Sequence, residues 1–164
     1  MATIRREVRD GDAAAIVSLH ETLYETEHGM GPAFVDGVRG TVAAAIECGW
    51  PKGGGAWLVD RDGELAGCLA LTDEGGGLGR LRWVLLDPEL RGQGLGRRMV
   101  TEAVAEARAL GMERLELDTF GALRSAAAIY RSVGFRLISE EETEKWGPPI
   151  AYQHYVLDLN AIRG

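Results

Sequence analysis

The sequence predicts one mixed α/β domain of the α+β type, with a mostly antiparallel central sheet flanked by helices. A short strand pattern near the N-terminus is followed by two segments with apolar residues at helical spacing. Three apolar strand patterns joined by glycine-containing turns come next, which is typical of an antiparallel meander. A doubly wound nucleotide-binding fold would instead alternate strand and helix from the start.

The N-terminal third predicts one strand and two helices. Residues 3–9 alternate Ile4, Arg6 and Val8, which indicates a short edge strand. Asp12 is the expected N-cap of the first helix, because its side chain can accept a hydrogen bond from the first turn. Apolar stripes mark both helices: Ile16, Leu19, Leu23 and Tyr24 in the first, and Phe34, Val38, Val42 and Ile46 in the second, at about 33–47.

The middle of the chain predicts three strands, a helix and a fourth strand. The first three strands span 56–60, 65–72 and 78–87, and an Asp-Gly turn joins the first two. After a glycine-rich turn, a helix is predicted up to about residue 110, with Gly111 as its C′ residue. Residues 113–120 then alternate apolar and polar side chains, so they form a strand whose polar face carries Glu116 and Asp118.

The C-terminal part predicts a short helix and a closing hairpin. The helix, at about 122–133, is ended by Gly134, and strands at 135–142 and 151–159 form the hairpin. One side of the helix is apolar: Ala126, Ile129, Tyr130 and Val133. Because no repeat, low-complexity tract or long linker interrupts the pattern, we expect residues 1–164 to form a single domain.

The composition argues against several classes of partner and location. The chain has 164 residues and a net charge of −7, from 25 acidic and 18 basic residues, so nucleic acid is not expected as a partner. The polar N-terminus is not a signal peptide, and no apolar run reaches the ~20 residues that span a bilayer. We therefore expect a cytoplasmic protein. Cys48 and Cys68 lie in apolar surroundings at no metal-binding spacing, so both are expected to be buried, reduced side chains, and no metal site is predicted.

Residues 86–98, "LDPELRGQGLGRR", contain the strongest motif of the chain. A turn whose backbone N–H groups point inward at the start of a helix can hold an anion, and glycines allow the backbone to approach phosphate oxygens closely. Gly92, Gly94 and Gly96 are expected to form that concavity, while Arg91 and Arg97 add positive charge. The alternatives are a glycine-rich helix start without any ligand and a dinucleotide-binding fingerprint.

The residues that follow Gly96 distinguish this loop from two specific phosphate-binding motifs. A Walker A loop ends in Gly-Lys-Ser/Thr, but Arg97 and Arg98 follow Gly96 here. A dinucleotide fingerprint needs a third glycine where Met99 stands. Acidic residues do follow about twenty positions later, as that fingerprint requires, yet the preceding meander disfavours it.

The stretch "VLLDPELRGQGLGRRMV" resembles motif A of the GNAT superfamily of N-acetyltransferases, whose pattern is Arg/Gln-x-x-Gly-x-Gly/Ala. Arg91, Gly94 and Gly96 match that pattern. The resemblance continues through "LELDTF" to "AAAIYRSVGF", and the order of elements is similar over most of the chain. The specific motifs lie within 81–135. They are closest to acetyltransferase domains that, in some proteins, are fused to winged-helix regulators.

The resemblance implies acetyl-CoA as the co-substrate, no metal, and a sheet that splays open at the acetyl-CoA site. The loop would bind the pyrophosphate through Arg91, Gly92, Gln93, Gly94, Leu95, Gly96 and Arg97. The end of the preceding strand would pair with the pantetheine arm through Val84, Leu85 and Leu86, and a strand N–H near Leu86 would polarise the acetyl carbonyl. Many family members have an asparagine where this chain has Leu123, so that contact is expected to be absent or to be supplied by another group such as Ser125.

Tyr130 matches the general acid of the family, which returns a proton to the leaving thiolate. Asp118 is the expected general base, with Glu116, Glu25 and His28 as alternatives, and a water molecule could instead carry the proton. His20 and His154 are expected to be ordinary side chains. The acceptor would be a small-molecule or peptide amine, and the protein is a possible homodimer. The alternative function is a non-catalytic module that binds or senses acyl-CoA.

Overall fold

A seven-stranded sheet forms the centre of the computed structural model, which describes residues 2–160. Its strands are β1 (Ala2–Arg5), β2 (Gly55–Arg61), β3 (Glu64–Gly75), β4 (Leu78–Leu86), β5 (Arg114–Phe120), β6 (Arg136–Thr143) and β7 (Ile150–Asp158). They lie in the order β1-β2-β3-β4-β5-β7-β6. Every neighbouring pair is antiparallel except β4 and β5. The predicted mixed, mostly antiparallel sheet is therefore confirmed.

Helices cover both faces of the sheet. They are α1 (Asp12–His28), α2 (Pro32–Glu47), α3 (Leu95–Ala109) and α4 (Arg124–Val133), with a short 3-10 turn at Pro88–Leu90. Helices α1 and α2 share one core cluster with Leu58 and Phe120, whereas α3 and α4 share the other with Leu115 and Tyr155. Burial of these two apolar faces is the main force that holds the layers together.

The two halves of the sheet separate between β4 and β5. These parallel strands are paired at only three positions, which join Leu78 to Arg114, Gly79 to Leu115 and Arg80 to Glu116. Beyond Arg80, β4 keeps its pairing with β3 but has no partner on the β5 side. The splayed sheet implied by the sequence resemblance is therefore present, and within residues 2–160 it leaves one edge of β4 without a strand partner beyond Arg80.

The start of α1 differs from the prediction. Gly11 caps the helix with φ +89°, and the Asp12 side chain makes no cap hydrogen bond to the first turn. Its carboxylate instead accepts hydrogen bonds from Arg5 Nη1 at 2.7 Å and from the Arg9 backbone N–H at 2.6 Å. The strand β1 also ends at Arg5 and does not continue to residue 9 as predicted.

The prediction that both cysteines are buried is wrong for Cys48. Cys68 is buried in β3, but Cys48 is exposed directly after α2. Ile46, in the predicted stripe of that helix, is 42% exposed. Apolar residues spaced by four advance about 40° around a helix at each step, so a stripe that begins on the sheet at Phe34 has turned toward solvent by the last turn.

Candidate active site

The glycine-rich loop between β4 and α3 presents a row of backbone donors. The Asp87 carboxylate accepts from the Glu89 N–H at 3.0 Å, which fixes the 3-10 turn before the loop. Gly92 and Gly94 then adopt φ of +79° and +82°, and Gly94 caps α3. The N–H groups of residues 92–97 donate to no oxygen within residues 2–160, whereas the Arg98 N–H donates to Gly94 O. Such a row at a helix N-terminus is suited to an anion.

The three glycines of this loop have different surroundings. A Cβ added at Gly92 or Gly94 would meet nothing within 4 Å, so their open faces are available to a ligand. A Cβ at Gly96 would lie 3.2 Å from Ile129 Cδ1 of α4. Gly96 does not have a positive φ. Its missing side chain instead allows α3 and α4 to pack closely. Open space therefore lies over Gly92 and Gly94, whereas Gly96 faces α4.

Arg91 connects three parts of the site. Its Nε donates to Leu86 O at the end of β4 at 3.0 Å, and its two terminal nitrogens contact the Glu27 carboxylate of α1 at 3.0 and 2.9 Å. Gln93 donates to Glu89 O at 3.1 Å, so it also holds the loop. Arg97 is exposed and makes no ion pair within residues 2–160. Of the two predicted cations, Arg97 is the one left available to a phosphate.

The free edge of β4 contains a bulge next to the splay. Trp83 has φ +51°, which is rare for a bulky residue, and the register with β3 shifts between Cys68 and Ala70. The extra residue places Trp83 in the core cluster of α1 and α2, while Val84 packs against the cluster of α3 and α4. Bulges of this kind re-aim side chains beside functional sites. Leu85 and Leu86 follow on the same strand, up to the glycine-rich loop.

Tyr130 lies inside the splay. Its side chain is 3% exposed, and its ring centroid lies 5.9 Å from that of Phe135 and 6.0 Å from that of Tyr155. It lines a cavity of about 190 Å³ together with Val84 of β4. Burial raises the pKa of the Tyr130 hydroxyl, so this group stays protonated throughout the ordinary pH range. Its hydroxyl donates to no other group within residues 2–160.

The same cavity continues to the α1 and α2 face of the sheet, where aromatic rings surround it. Ring centroids lie 4.6 Å apart for Tyr24 and Phe34, 5.8 Å for Phe120 and Trp146, and 5.2 Å for Trp146 and Tyr152. Trp146 O accepts from the Gly31 N–H at 3.0 Å, which fixes the β6–β7 connection against the junction of α1 and α2. We call this part the acceptor chamber: Tyr24, Phe34, Phe120, Trp146 and Tyr152.

Asp118 lines the cavity at the end of a polar network. One carboxylate oxygen accepts from Arg80 Nη1 at 2.9 Å, and the other lies 2.7 Å from His154 Nδ1. The second ring nitrogen of His154 lies 2.7 Å from Glu116. His154 therefore bridges the carboxylates of Asp118 and Glu116. Burial, together with the nearby Asp118 carboxylate, raises the pKa of Tyr152 to about 12.

Comparison with known proteins identifies the family of this chain. The sequence profile of the acetyltransferase (GNAT) family matches residues 16–135. The chain belongs to that family. The matched segment runs from α1, through the loop, to the end of α4 and its capping residues.

Sequence alignments with individual relatives cover less of the chain than superpositions on solved structures do. The GNAT chain is 32% identical over 85 residues to the uncharacterized N-acetyltransferase YjgM of Escherichia coli, which is 50% of this chain and 51% of that protein. It thus spans about half the length of the curated relatives it matches.

Solved structures share the whole fold. A putative GNAT acetyltransferase from Desulfovibrio desulfuricans superposes with a TM-score of 0.71 at 21% identity, over 97% of this chain and 99% of that one. The putative acetyltransferase yncA from Salmonella typhimurium, solved with its cofactor acetyl-CoA, gives 0.71 at 18% identity, over 100% and 97%.

The GNAT chain brings together some of the predicted site residues and leaves others outside. Val84, Tyr130 and Asp118 line one cavity, and Leu123 lines it where the family asparagine was expected. Ser125, its predicted substitute, is exposed at the first turn of α4 and does not line the cavity. Among the alternative bases, neither Glu25 nor His28 lines it. Within residues 2–160, no cluster of side chains could hold a metal ion and no helix could span a membrane.

His20 was expected to be an ordinary side chain, but it lies in the wall of the cavity. It is 3% exposed, and its Nδ1 lies 2.8 Å from Ile16 O. A carbonyl oxygen only accepts, so Nδ1 carries the proton and Nε2 has a free lone pair. Burial lowers the pKa of His20 to about 4, which keeps the ring neutral. Nε2 has no partner within residues 2–160.

We expect His20 to make stability depend on pH between 6.5 and about 4. In the unfolded chain the ring binds a proton below its ordinary pKa, whereas the folded chain resists protonation down to its lowered pKa. The unfolded state therefore binds more protons in this window, and the free energy of unfolding falls by about 3 kcal/mol as the pH drops through it. Urea unfolding of wild type and His20→Asn should show this loss for the wild type only, beyond the pH dependence that both share.

His28→Asn is the matched control for that experiment, because it changes a half-buried histidine in the last turn of the same helix. It should retain the wild-type loss of stability. Equal pH dependence in wild type and His20→Asn would contradict the buried, neutral state of His20.

Proposed function

We propose that this protein transfers an acetyl group from acetyl-CoA to a primary amine in a direct ternary complex. The observation that carries the proposal is a set of three features, which we call the cofactor track: the row of free N–H groups at residues 92–97, the edge of β4 that has no strand partner, and the cavity that contains Tyr130. These three features lie in the order in which pyrophosphate, pantetheine and acetyl group follow one another in acetyl-CoA.

The residues present fit that co-substrate. Open space over Gly92 and Gly94 receives the pyrophosphate, and Arg97 adds a cation that no acidic side chain within residues 2–160 neutralises. Amides of the pantetheine arm satisfy the backbone groups that β4 leaves unpaired, as an added strand would. A β4 N–H near Leu86 then stabilises the negative charge that develops on the acetyl oxygen.

The chemical step needs one proton donor and one proton acceptor. As the amine nitrogen forms its bond to the acetyl carbon, the carbon–sulfur bond breaks and Tyr130 gives its hydroxyl proton to the departing thiolate. Asp118 is the carboxylate in the cavity wall, and it attracts the ammonium and takes its proton directly or through water. Its oxygens bind Arg80 and His154, but each carboxylate oxygen has two lone pairs and can accept again.

Two measurements test this function. Calorimetric titration should show that acetyl-CoA binds and that NAD does not, and a screen of amines with acetyl-CoA should release free thiol. Tight NAD binding would contradict the assignment. Binding of acetyl-CoA without thiol release from any amine would instead establish the non-catalytic acyl-CoA-binding module.

Three finer points accompany the proposal. A relationship to acetyltransferase domains fused to winged-helix regulators is supported by the sequence motifs alone. A cytoplasmic location agrees with two free cysteines, and a homodimer agrees with the exposed Leu137 and Ile138 on the edge strand β6. All three stay predictions.

A further inference from the structure

The wall of the cavity carries charged groups of both signs. Two arginines, Arg80 and Arg82, line it against one carboxylate, Asp118. Arg80 is held by Asp118 at 2.9 Å and is also 3.6 Å from Glu74. Glu74 also pairs with Arg82 at 2.8 Å, and Glu116 lies 3.9 Å from Arg80. The wall therefore offers guanidinium groups as well as a carboxylate to a ligand.

Arg82 has unused hydrogen-bonding capacity. Its Nη2 donates to Glu74 at 2.8 Å and its Nε to Thr72 at 3.3 Å. Nη1, with two N–H groups, donates to nothing within residues 2–160. The single carboxylate of Glu74 is shared between Arg80 and Arg82. A guanidinium in this state can bind a ligand carboxylate strongly, because such hydrogen bonds are charge-assisted.

His20 and Asp118 can accept hydrogen bonds from the N–H groups of a ligand. The Nε2 lone pair of His20 is unpartnered although the ring is 3% exposed, and His20 lines the same cavity. Within residues 2–160 no buried side-chain nitrogen or oxygen lacks a partner, so the unpartnered Nε2 is an accessible atom to which a ligand or water can donate. The cavity wall thus offers a free donor pair, a free neutral acceptor and a carboxylate.

The remaining wall is apolar and encloses little space. The acceptor chamber supplies five aromatic rings, and the whole cavity measures about 190 Å³. That volume lies below the roughly 300–1,000 Å³ of pockets for drug-sized ligands. The acidic residues near the end of α1, Glu21, Glu25 and Glu27, do not line it. The cavity therefore fits a small molecule with an apolar body.

We propose that the acceptor is a small amine that also carries a carboxylate, of the α-amino-acid type with an apolar or aromatic side chain. Its carboxylate binds Arg82, its amine faces His20 and Asp118, and its side chain packs among the rings of the acceptor chamber. This inference rests on the proposed acetyl transfer and specifies its substrate class.

Matched pairs of acceptors that differ only in the carboxylate test the inference. Phenylalanine and 2-phenylethylamine form one pair, and tryptophan and tryptamine form another. Thiol release should give a kcat/KM that is roughly 10- to 100-fold higher for the carboxylated member, the range expected for hydrogen bonds to a charged group. Equal rates, a preference for the amines without a carboxylate, or no acetylation of either amino acid would overturn the inference. The proposed function fails by different results: no binding of acetyl-CoA, tight binding of NAD, or no thiol release with an amine of any class.

Arg82→Met should bring the ratio within each pair close to one, chiefly through a higher KM for the carboxylated member. Arg61→Met is the control, because Arg61 is also ion-paired and its side chain is 26% exposed against 27% for Arg82, yet it does not line the cavity. It should keep the wild-type ratio. Since each ratio compares two substrates on one protein, partial loss of folding does not affect it. A preference for the carboxylate that persists in Arg82→Met would overturn the assignment of Arg82.

Wild-type binding provides a measurement without turnover. N-acetylphenylalanine should quench the fluorescence of the cavity tryptophans, Trp83 and Trp146, at lower concentration than N-acetyl-2-phenylethylamine. Equal affinity of the two compounds would contradict the carboxylate site.

Discussion

Tyr130→Phe should lower kcat by roughly 100-fold or more while the dissociation constant of acetyl-CoA stays unchanged. The substitution removes only the hydroxyl, which makes no hydrogen bond within residues 2–160, and it keeps the ring contacts with Phe135 and Tyr155. Without that proton, the thiolate must leave unprotonated, so the loss falls on the chemical step. Single-turnover kinetics together with calorimetry of acetyl-CoA binding measure the two quantities separately.

Tyr155→Phe is the matched control. Tyr155 is fully buried and in ring contact with Tyr130, but it does not line the cavity. Its hydroxyl accepts from Arg131 at 3.3 Å and donates to Gln153 at 3.4 Å, so its loss should lower stability by about 1 kcal/mol and leave kcat nearly unchanged. A wild-type kcat in Tyr130→Phe, or an equal fall in both variants, would remove Tyr130 from the mechanism.

The elements on which the cofactor track depends were predictable because their signals are local. The Asp-Gly turn at Asp62 and Gly63, the glycine at 111 and the glycine at 134 all adopt the positive φ that their positions require, and each ends an element near its predicted boundary. The pattern of residues 91–96 likewise specifies a loop before a helix. Asp12 was misassigned because its partner Arg5 belongs to another element, which helical pattern alone does not include.

The acceptor side could be predicted only in part. Arg80 and Arg82 alternate with Leu81 and Trp83, a pattern that a strand with one solvated face would show equally well. They line a chamber only because α1, α2 and the β6–β7 connection cover that face of the sheet. The sequence did not predict the state of His20. Its neutral ring and its free Nε2 depend on burial and on the carbonyl of Ile16. Contacts between distant segments decide these features.

Gly94→Ala should weaken acetyl-CoA binding by at least about 10-fold, because the proposed pyrophosphate site needs both the backbone conformation and the open face of this residue. Gly94 has φ +82°, and its missing Cβ points into free space beside the N–H groups of residues 92–97. An alanine there both strains the backbone and places a methyl group where phosphate oxygens would approach. Calorimetric titration with acetyl-CoA measures the loss of affinity.

Gly11→Ala separates strain from ligand contact. Gly11 caps α1 with φ +89°, and a Cβ there also meets nothing within 4 Å, so the two variants carry nearly the same backbone strain at equivalent positions. Both should lose about 1–2 kcal/mol of unfolding free energy in urea. Only Gly94→Ala should lose acetyl-CoA affinity, since Gly11 lies at the start of a helix outside the cofactor track. Equal affinities for the two variants would show that the loop at 91–97 does not hold the pyrophosphate, whatever the sequence pattern suggests.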